Sequence, residues 1–409
     1  MVAEHRIERP VGFLTVLSNI GFLLLWLGQL TSQLADRIFV YVLMILVYQL
    51  TKSNLGVSLP LLAFGIPSVL VAPWAGVLAD KFNRKWIMFI TDIIRGLLVL
   101  LLIPLISKSV ALIFVVTLLI YSAAQFFAPA ETSSIPELVD RKNLIIANSL
   151  FMITWMASSV VGFGLGAPLV SLLAEKGTLI ASAVCYFISA VSILLVPLKP
   201  PIISPNLNKK SHVWGDLGVG FEFIRRNQVV RYSLIKLFIA SMAIATLSVL
   251  AISYANDILK IGGKNFGYLI IAIGIGMLIG MWSLDKLNRY FKKGTIVIGS
   301  FLVSGLALLS MAVVSDLYGA LVLIVILGVG NIYITSSIQT ILQHKIPRQI
   351  RGRVFGVQNM LINSAFTFPV VIFGMLADLF SLVFAIQLLG GIVLLMGVAG
   401  IFLPKFKTV

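Results

Sequence analysis

The feature that most constrains this chain is a succession of twelve apolar runs, each close to the roughly 20 residues a helix needs to cross about 30 Å of hydrocarbon. They lie at 19–48, 55–79, 87–106, 111–131, 149–174, 178–197, 231–256, 264–284, 295–314, 317–343, 354–377 and 382–403. Hydrocarbon offers no partner to backbone N–H and C=O groups, so a run immersed in it satisfies them internally and folds as a helix. The pattern predicts an all-α integral membrane protein with twelve transmembrane helices. Composition agrees: 59% of residues are hydrophobic and 11% are charged, against about 25% charged in soluble domains. A cytosolic enzyme, a disordered tail and a disulfide-stapled secreted domain are excluded. The single cysteine, Cys185, lies in an apolar run and reads as a buried thiol.

Basic residues orient the spans. Of the 31 Lys and Arg, Lys52, Lys108, Lys176, Lys260 and Lys264 fall in connections on one side, and Arg37, Arg95 and Lys236 fall inside runs. All the others lie in the termini and the alternate connections. Positively charged connections stay in the cytoplasm, so both termini are predicted cytoplasmic in a multi-pass cell-membrane protein. The formal net charge of +16 then reads as topology and contact with anionic lipid headgroups, not as nucleic-acid binding. Glu4, Arg6, Glu8 and Arg9 precede an apolar run that has no small-residue cleavage site, which predicts a retained first span.

The sequence also repeats. Asp80-Lys81-Phe82-Asn83-Arg84 recurs as Asp285-Lys286-Leu287-Asn288-Arg289, and Ile135-Pro136 with Asn148 recurs as Ile346-Pro347 with Asn359. Duplicated halves are common in membrane transporters. The repeat predicts two pseudo-symmetric six-helix bundles at 1–197 and 231–409, joined by a cytoplasmic linker at 198–230 with a surface helix near Asp216 to Arg226. A single chain holds both halves, so a monomer suffices.

An ionisable group inside a span costs about 2.5–3.5 kcal/mol on insertion scales and is expected to face a cavity or a partner. Gln29, Gln33, Asp36 and Arg37 recur at helical spacing in span 1. Asp36 is the main candidate for binding a proton or a cationic substrate; the alternative is an ion pair that locks helices together. Neighbours in a helix do not face one another, so Asp36 and Arg37 both require outside partners. Asp92 and Arg95, three apart in span 3, are expected to pair along the helix. Glu131 ends the fourth run beside Pro129 and is expected at the interface, with coupling as the alternative. Lys236 is expected to snorkel to the headgroups. In the second half, Asn331, Thr335 and Gln339 share a face of span 10, and Asn359 and Asn363 share one of span 11. They provide uncharged donors and acceptors with no mid-span acid, which predicts coupling charge in the first half. Trp26, Tyr121, Phe126, Trp155 and Tyr333 could line an apolar pocket, against the alternatives of lipid contact or helix packing. Gly162 with Gly166 and Gly276 with Gly280 have the spacing that lets helices approach closely.

No phosphate-binding loop occurs, since Gly262-Gly263-Lys264-Asn265 lacks both the upstream glycine and the hydroxyl. His5, His212 and His344 have no metal-ligand spacing. No cofactor is expected, and a proton gradient is the expected energy source.

Gly76-Val77-Leu78-Ala79-Asp80-Lys81-Phe82-Asn83-Arg84-Lys85 resembles the signature between spans 2 and 3 of the major facilitator superfamily. A more specific likeness runs through Gly28-Gln29 to Asp36-Arg37, Phe127-Ala128-Pro129-Ala130, Ile135-Pro136-Glu137-Leu138, Phe223-Ile224-Arg225-Arg226-Asn227 and Arg351-Gly352-Arg353-Val354-Phe355. Together these are similar to the twelve-span drug:proton antiporter branch that includes macrolide efflux pumps and the enterobactin exporter. The resemblance implies secondary active export by alternating access. It also implies a gate in which Asp80 accepts from backbone N–H groups at the start of span 11 and pairs with Arg351 or Arg353, with Asp285 and Arg289 as the repeat's counterparts; the alternative is a purely topogenic charge cluster. The likeness departs at two places. Family members often carry Arg in mid-span 4, where this chain has Gln125 in Ser122-Ala123-Ala124-Gln125-Phe126, and the span 5 signature puts Gly directly before Pro, whereas here Gly162 and Gly166 precede Ala167-Pro168. The sequence thus predicts a proton-driven exporter of a bulky amphipathic small molecule such as a macrolide, another drug or a siderophore. The alternatives are uptake or a lysophospholipid-type carrier and, from another class, a membrane scaffold or sensor.

Overall fold

A computed structural model describes residues 13–72, 74, 75, 78, 82–105, 109–140, 143–198, 213–347, 350–403 and 406. Among them the chain forms helices and turns and no strand. In order these are α1 (Phe13–Leu17), α2 (Ile20–Thr51), α3 (Asn54–Leu70), α4 (Arg84–Leu102), α5 (Val110–Leu138), α6 (Leu144–Leu194), α7 (Val213–Arg226), α8 (Gln228–Ser253), α9 (Gly267–Tyr290), α10 (Lys293–Met311), α11 (Leu317–Lys345), α12 (Arg351–Ala365), α13 (Phe368–Leu379) and α14 (Leu382–Ile401). Each predicted apolar run overlaps one of these helices. Nine helical stretches among the described residues are long and apolar enough to cross a membrane. One of them, Ile146–Leu194, is 49 residues long, about twice a span. It contains two predicted runs and breaks at Ala174, whose φ of 55° and ψ of 179° leave the helical region.

Helix starts follow local chemistry. The side chains of Asn83, Ser109, Asn227, Asp316 and Ser381 accept from backbone N–H groups in the first turns of α4, α5, α8, α11 and α14. The amphipathic α7 carries Glu222, whose carboxyl is held down at about 2 by hydrogen bonds from Arg225 and Arg226. The backbone of α7 at Gly220 lies so close to α12 that a Cβ there would come within 2.8 Å of the Arg353 carbonyl.

Helix packing divides the chain into two compact units. The first comprises Met1–Val40, Leu70–Leu165 and Leu172–Ser204; the second comprises Tyr41–Val69, Gly166–Ser171 and Pro205–Val409. The core of the first unit gathers Phe22, Leu25, Met88, Phe127, Ala130 and Ile193.

In the second unit α9 and α11 meet backbone to backbone: a Cβ on Gly276 would lie 3.0 Å from the Gly328 Cα, so the predicted close-approach spacing is used as a packing seam. Residues 41–69 join this unit through specific contacts. The Tyr41 ring stacks on Phe266 with centroids 4.4 Å apart, and its hydroxyl donates to the Lys264 carbonyl. Asp378 of α13 caps the N-terminus of α3. It accepts from the backbone N–H groups of Asn54 (2.8 Å) and Leu55 (2.9 Å), from Asn54 Nδ2 (2.9 Å) and from Ser53 Oγ (2.5 Å). Ser253 Oγ completes the cluster by donating to Asn54 Oδ1 at 2.6 Å.

Two sequence expectations are corrected. Glu131 does not end its helix: α5 continues through it to Leu138, and Glu131 is buried at 6% exposure. Lys236 does not snorkel. It is 1% exposed, its Nζ donates to the Met396 carbonyl at 3.1 Å, and the rings of Phe301 and Phe406 stand 5.1 and 5.0 Å away. One carbonyl and two ring faces replace the headgroup water, and the amine ties α8 to the end of α14. Burying an ammonium is costly, so Lys236→Met is expected to keep or raise the apparent melting temperature of the detergent-solubilised protein. Lys236→Glu, which sets a carboxylate against that carbonyl, should cost about 2–4 kcal/mol and lower the melting temperature clearly.

Candidate functional site

The polar residues of span 1 acquire partners only when α4, α5 and α6 pack around α2 in the first unit. Asp36 lies on the face of α2 toward α4, where Arg95 Nη1 donates to Asp36 Oδ1 at 3.2 Å and to Oδ2 at 3.4 Å. Arg95 Nη2 donates to Ser32 Oγ at 2.6 Å and also pairs with Asp92 on its own helix. Arg95 therefore stands between two carboxylates, satisfying both the expected pairing along α4 and Asp36's need for a partner on another helix. Its guanidinium also lies 4.5 Å from the Tyr186 ring centroid and 5.2 Å from that of Phe127, the stacking arrangement that a weakly hydrated planar cation favours.

Three hydroxyls complete the network. Tyr186 donates to Asp36 Oδ1 at 2.5 Å, Ser32 to Asp92 Oδ1 at 3.2 Å, and Ser189 Oγ reaches both Asp92 Oδ2 at 2.5 Å and the Gly28 carbonyl at 2.8 Å. Asp92 and Ser189 are 0% exposed and Arg95 is 1%, whereas the Asp36 side chain is 27% exposed. Asp36 is thus the accessible carboxylate of the two. Glu131 lies close enough to feel the charges of Asp92 and Arg95, and its Oε1 is buried without a hydrogen-bond partner, as is Arg95 Nε. The cluster holds two carboxyls on one guanidinium, so a proton has more than one place to reside.

The other predicted residues are placed as follows. Arg37 turns away from this cluster toward α6, its guanidinium 5.8 Å from the Trp155 ring centroid. A Cβ on Gly162 would run into the Arg37 Cβ, and one on Gly166 into the Tyr41 ring, so the glycines of the span 5 motif are points of close approach. Pro168 lies within α6. Gln29 Nε2 donates to the Phe151 carbonyl at 3.5 Å, and Gln125 Nε2 to its own helix at Tyr121 at 3.4 Å. In the second unit Asn331 Nδ2 reaches the Ala240 carbonyl at 3.5 Å and Gln358 Nε2 donates to Gln339 at 3.0 Å, while Asn359 is exposed and Asn363 half-buried. Of the gate residues, Gly76 and Asp80 lie outside the described residues. Arg84 bonds the Ser133 carbonyl at 2.8 Å and pairs with Glu137. Lys85 is half-buried, Asp285 and Arg289 are exposed, Arg351 donates to the Gln343 carbonyl at 2.8 Å, and Arg353 is exposed near α7.

Sequence reasoning missed Ser32, Tyr186, Ser189 and Asp378. Ser32 stands one turn before Asp36 and its spacing could have indicated it. Tyr186 and Ser189 sit in an apolar run on another helix, and only the packing of α6 on α2 reveals them.

Comparison with known proteins matches this architecture. The family profile of the Major Facilitator Superfamily covers residues 25–369. The chain is 25% identical to the multidrug efflux pump Tap of Mycolicibacterium fortuitum, across 94% of this chain and 96% of that one. It is 23% identical to macrolide efflux protein A of Streptococcus pyogenes, across 88% and 90%. A mutant of the nucleoside transporter NupG has the same fold, with a TM-score of 0.78 at 13% identity, covering 94% of this chain and 100% of that one. The protein is a membrane transporter, not an enzyme, and belongs to the Major Facilitator Superfamily.

Proposed function

We propose that this protein exports a bulky amphipathic small molecule through the cell membrane by alternating access, and that proton binding at the Asp36–Arg95–Asp92 network drives it. The observation that carries the reading is one buried guanidinium shared by two carboxylates, one of them accessible. A proton arriving at Asp36 removes the charge that Arg95 and Tyr186 hold, which loosens α2 from α4 and α6. Arg95 stays paired with Asp92 on its own helix, so the step leaves no buried charge uncompensated. Efflux is the direction of the curated relatives Tap and macrolide efflux protein A.

The capping of α3 by Asp378 supplies the other part of the cycle. With the termini cytoplasmic, Lys52 to Leu55 lie on the outer side, and the carboxylate bonded to three groups on Asn54 and Leu55 is a latch between α3 and α13 on that side. A helix N-terminus favours a carboxylate, and the loss of such a cap costs about 1–2 kcal/mol.

Three outcomes are expected. In liposomes with an imposed pH gradient, Asp36→Asn should lose substrate-triggered proton movement at least about tenfold, an effect on the order of 1.4 kcal/mol, while remaining folded; unchanged proton movement would remove Asp36 from the mechanism. Arg95→Gln, which strands Asp92 in the core, should lower stability by about 3–5 kcal/mol, seen as a lower melting temperature and lower yield. In a Cys185→Ala background, a Ser58→Cys probe should react several-fold faster with an impermeant maleimide when Asp378→Ala is added, and equal rates would show that the cap is no latch.

A further inference from the structure

Arg37 is a charged side chain in the middle of span 1 that the coupling network does not use. No carboxylate comes within ion-pair distance of it among the described residues. Its Nε is buried without a hydrogen-bond partner, as is Oε1 of Gln33 one turn earlier on α2. Long side chains lean toward the N-terminus of their helix, so Arg37 Cβ touches α6 at Gly162 while its guanidinium reaches back to Trp155, two turns earlier. Trp26 Nε1 donates to Thr154 Oγ1 at 2.7 Å, fixing α2 and α6 in parallel along this stretch. Trp155 itself is 56% exposed. A guanidinium beside that ring is costly in hydrocarbon, which argues against lipid on the face that Arg37 and Trp155 share.

We propose that Arg37, Gln33 and Trp155 form a binding site for an uncharged aromatic solute carrying a phenolic hydroxyl or a ring carbonyl. The guanidinium donates to the carbonyl or phenol oxygen, the Gln33 amide oxygen accepts from the hydroxyl, and the aromatic ring lies on the free face of Trp155. Charge selects a neutral solute. A cation would meet the Arg37 guanidinium directly, and an anion would approach the carboxylates of Asp36 and Asp92, two against the single Arg95 guanidinium they share. The proposal rests on the transporter reading for its biological sense and names the solute class of that reading, but the site itself is defined without the proton.

The test is binding to the full chain in lipid nanodiscs with no gradient, so that it stands or falls separately from proton coupling. The probe is 7-hydroxycoumarin at mildly acidic pH, where its phenol is protonated, followed by fluorescence anisotropy, with coumarin-3-carboxylate as the anionic comparator. Saturable binding of the phenol is expected, about tenfold weaker in Arg37→Gln and in Trp155→Leu, and largely kept in Trp155→Phe. Gln33→Leu, which leaves every observed hydrogen bond intact, should weaken it several-fold and guards against misfolding of the other two. Non-saturable uptake, equal affinity in Arg37→Gln and Trp155→Leu, or tighter binding of the carboxylate would each overturn the proposal.

Discussion

Hydrocarbon cannot solvate a charge, and the placement of Arg95 follows from that restriction. A guanidinium that is 1% exposed survives in such a medium only with acids, hydroxyls and ring faces around it. Those groups come from four helices: Asp36 and Ser32 from α2, Asp92 from α4, Phe127 from α5, and Tyr186 from α6. The ion network therefore specifies how α2, α4, α5 and α6 assemble in the first unit, where van der Waals packing between apolar helices would discriminate poorly among registers. The same groups that select the packing are ionisable, so structural specificity and the buried charge of this unit reside in one cluster.

The second unit solves its polar problems with neutral groups and single charges. Lys236 is met by a carbonyl and two rings, and Asp378 by the start of a helix. Neither charge has an opposite charge in contact among the described residues. A carboxylate on backbone N–H groups is easily exchanged for water when the helix end moves away, because water offers the same donors. Such a contact suits a gate better than an ion pair buried in the core would.

The helices were legible in the sequence because length and apolarity are local, and the mid-span charges were legible because they are rare. Asp36, Asp92 and Arg95 stand out on that ground alone, and the pairing of Asp92 with Arg95 follows from helical spacing. What spacing could not show is which helix faces which. The contact of Arg95 with Asp36 depends on tertiary packing, and so do those of Tyr186 and Ser189, which read as ordinary members of an apolar run. Lys236 misled for a related reason: its distance from the end of the run suggested water, whereas the aromatic rings that enclose it come from residues 65 and 170 positions further along the chain. Glu131 misled because hydropathy falls off around Pro129 and Pro136 although the helix runs through both.

Ser189 has one hydroxyl hydrogen and two acceptors within reach, Asp92 Oδ2 and the Gly28 carbonyl. The hydrogen can serve only one of them at a time. While Asp92 carries its charge, the hydrogen belongs there; if Asp92 becomes neutral, it falls to the carbonyl of α2. The serine is in effect a two-position rotor that writes the charge of a buried acid on α4 into the backbone of its neighbour. Its switching requires only a rotation about one bond and no displacement of a helix.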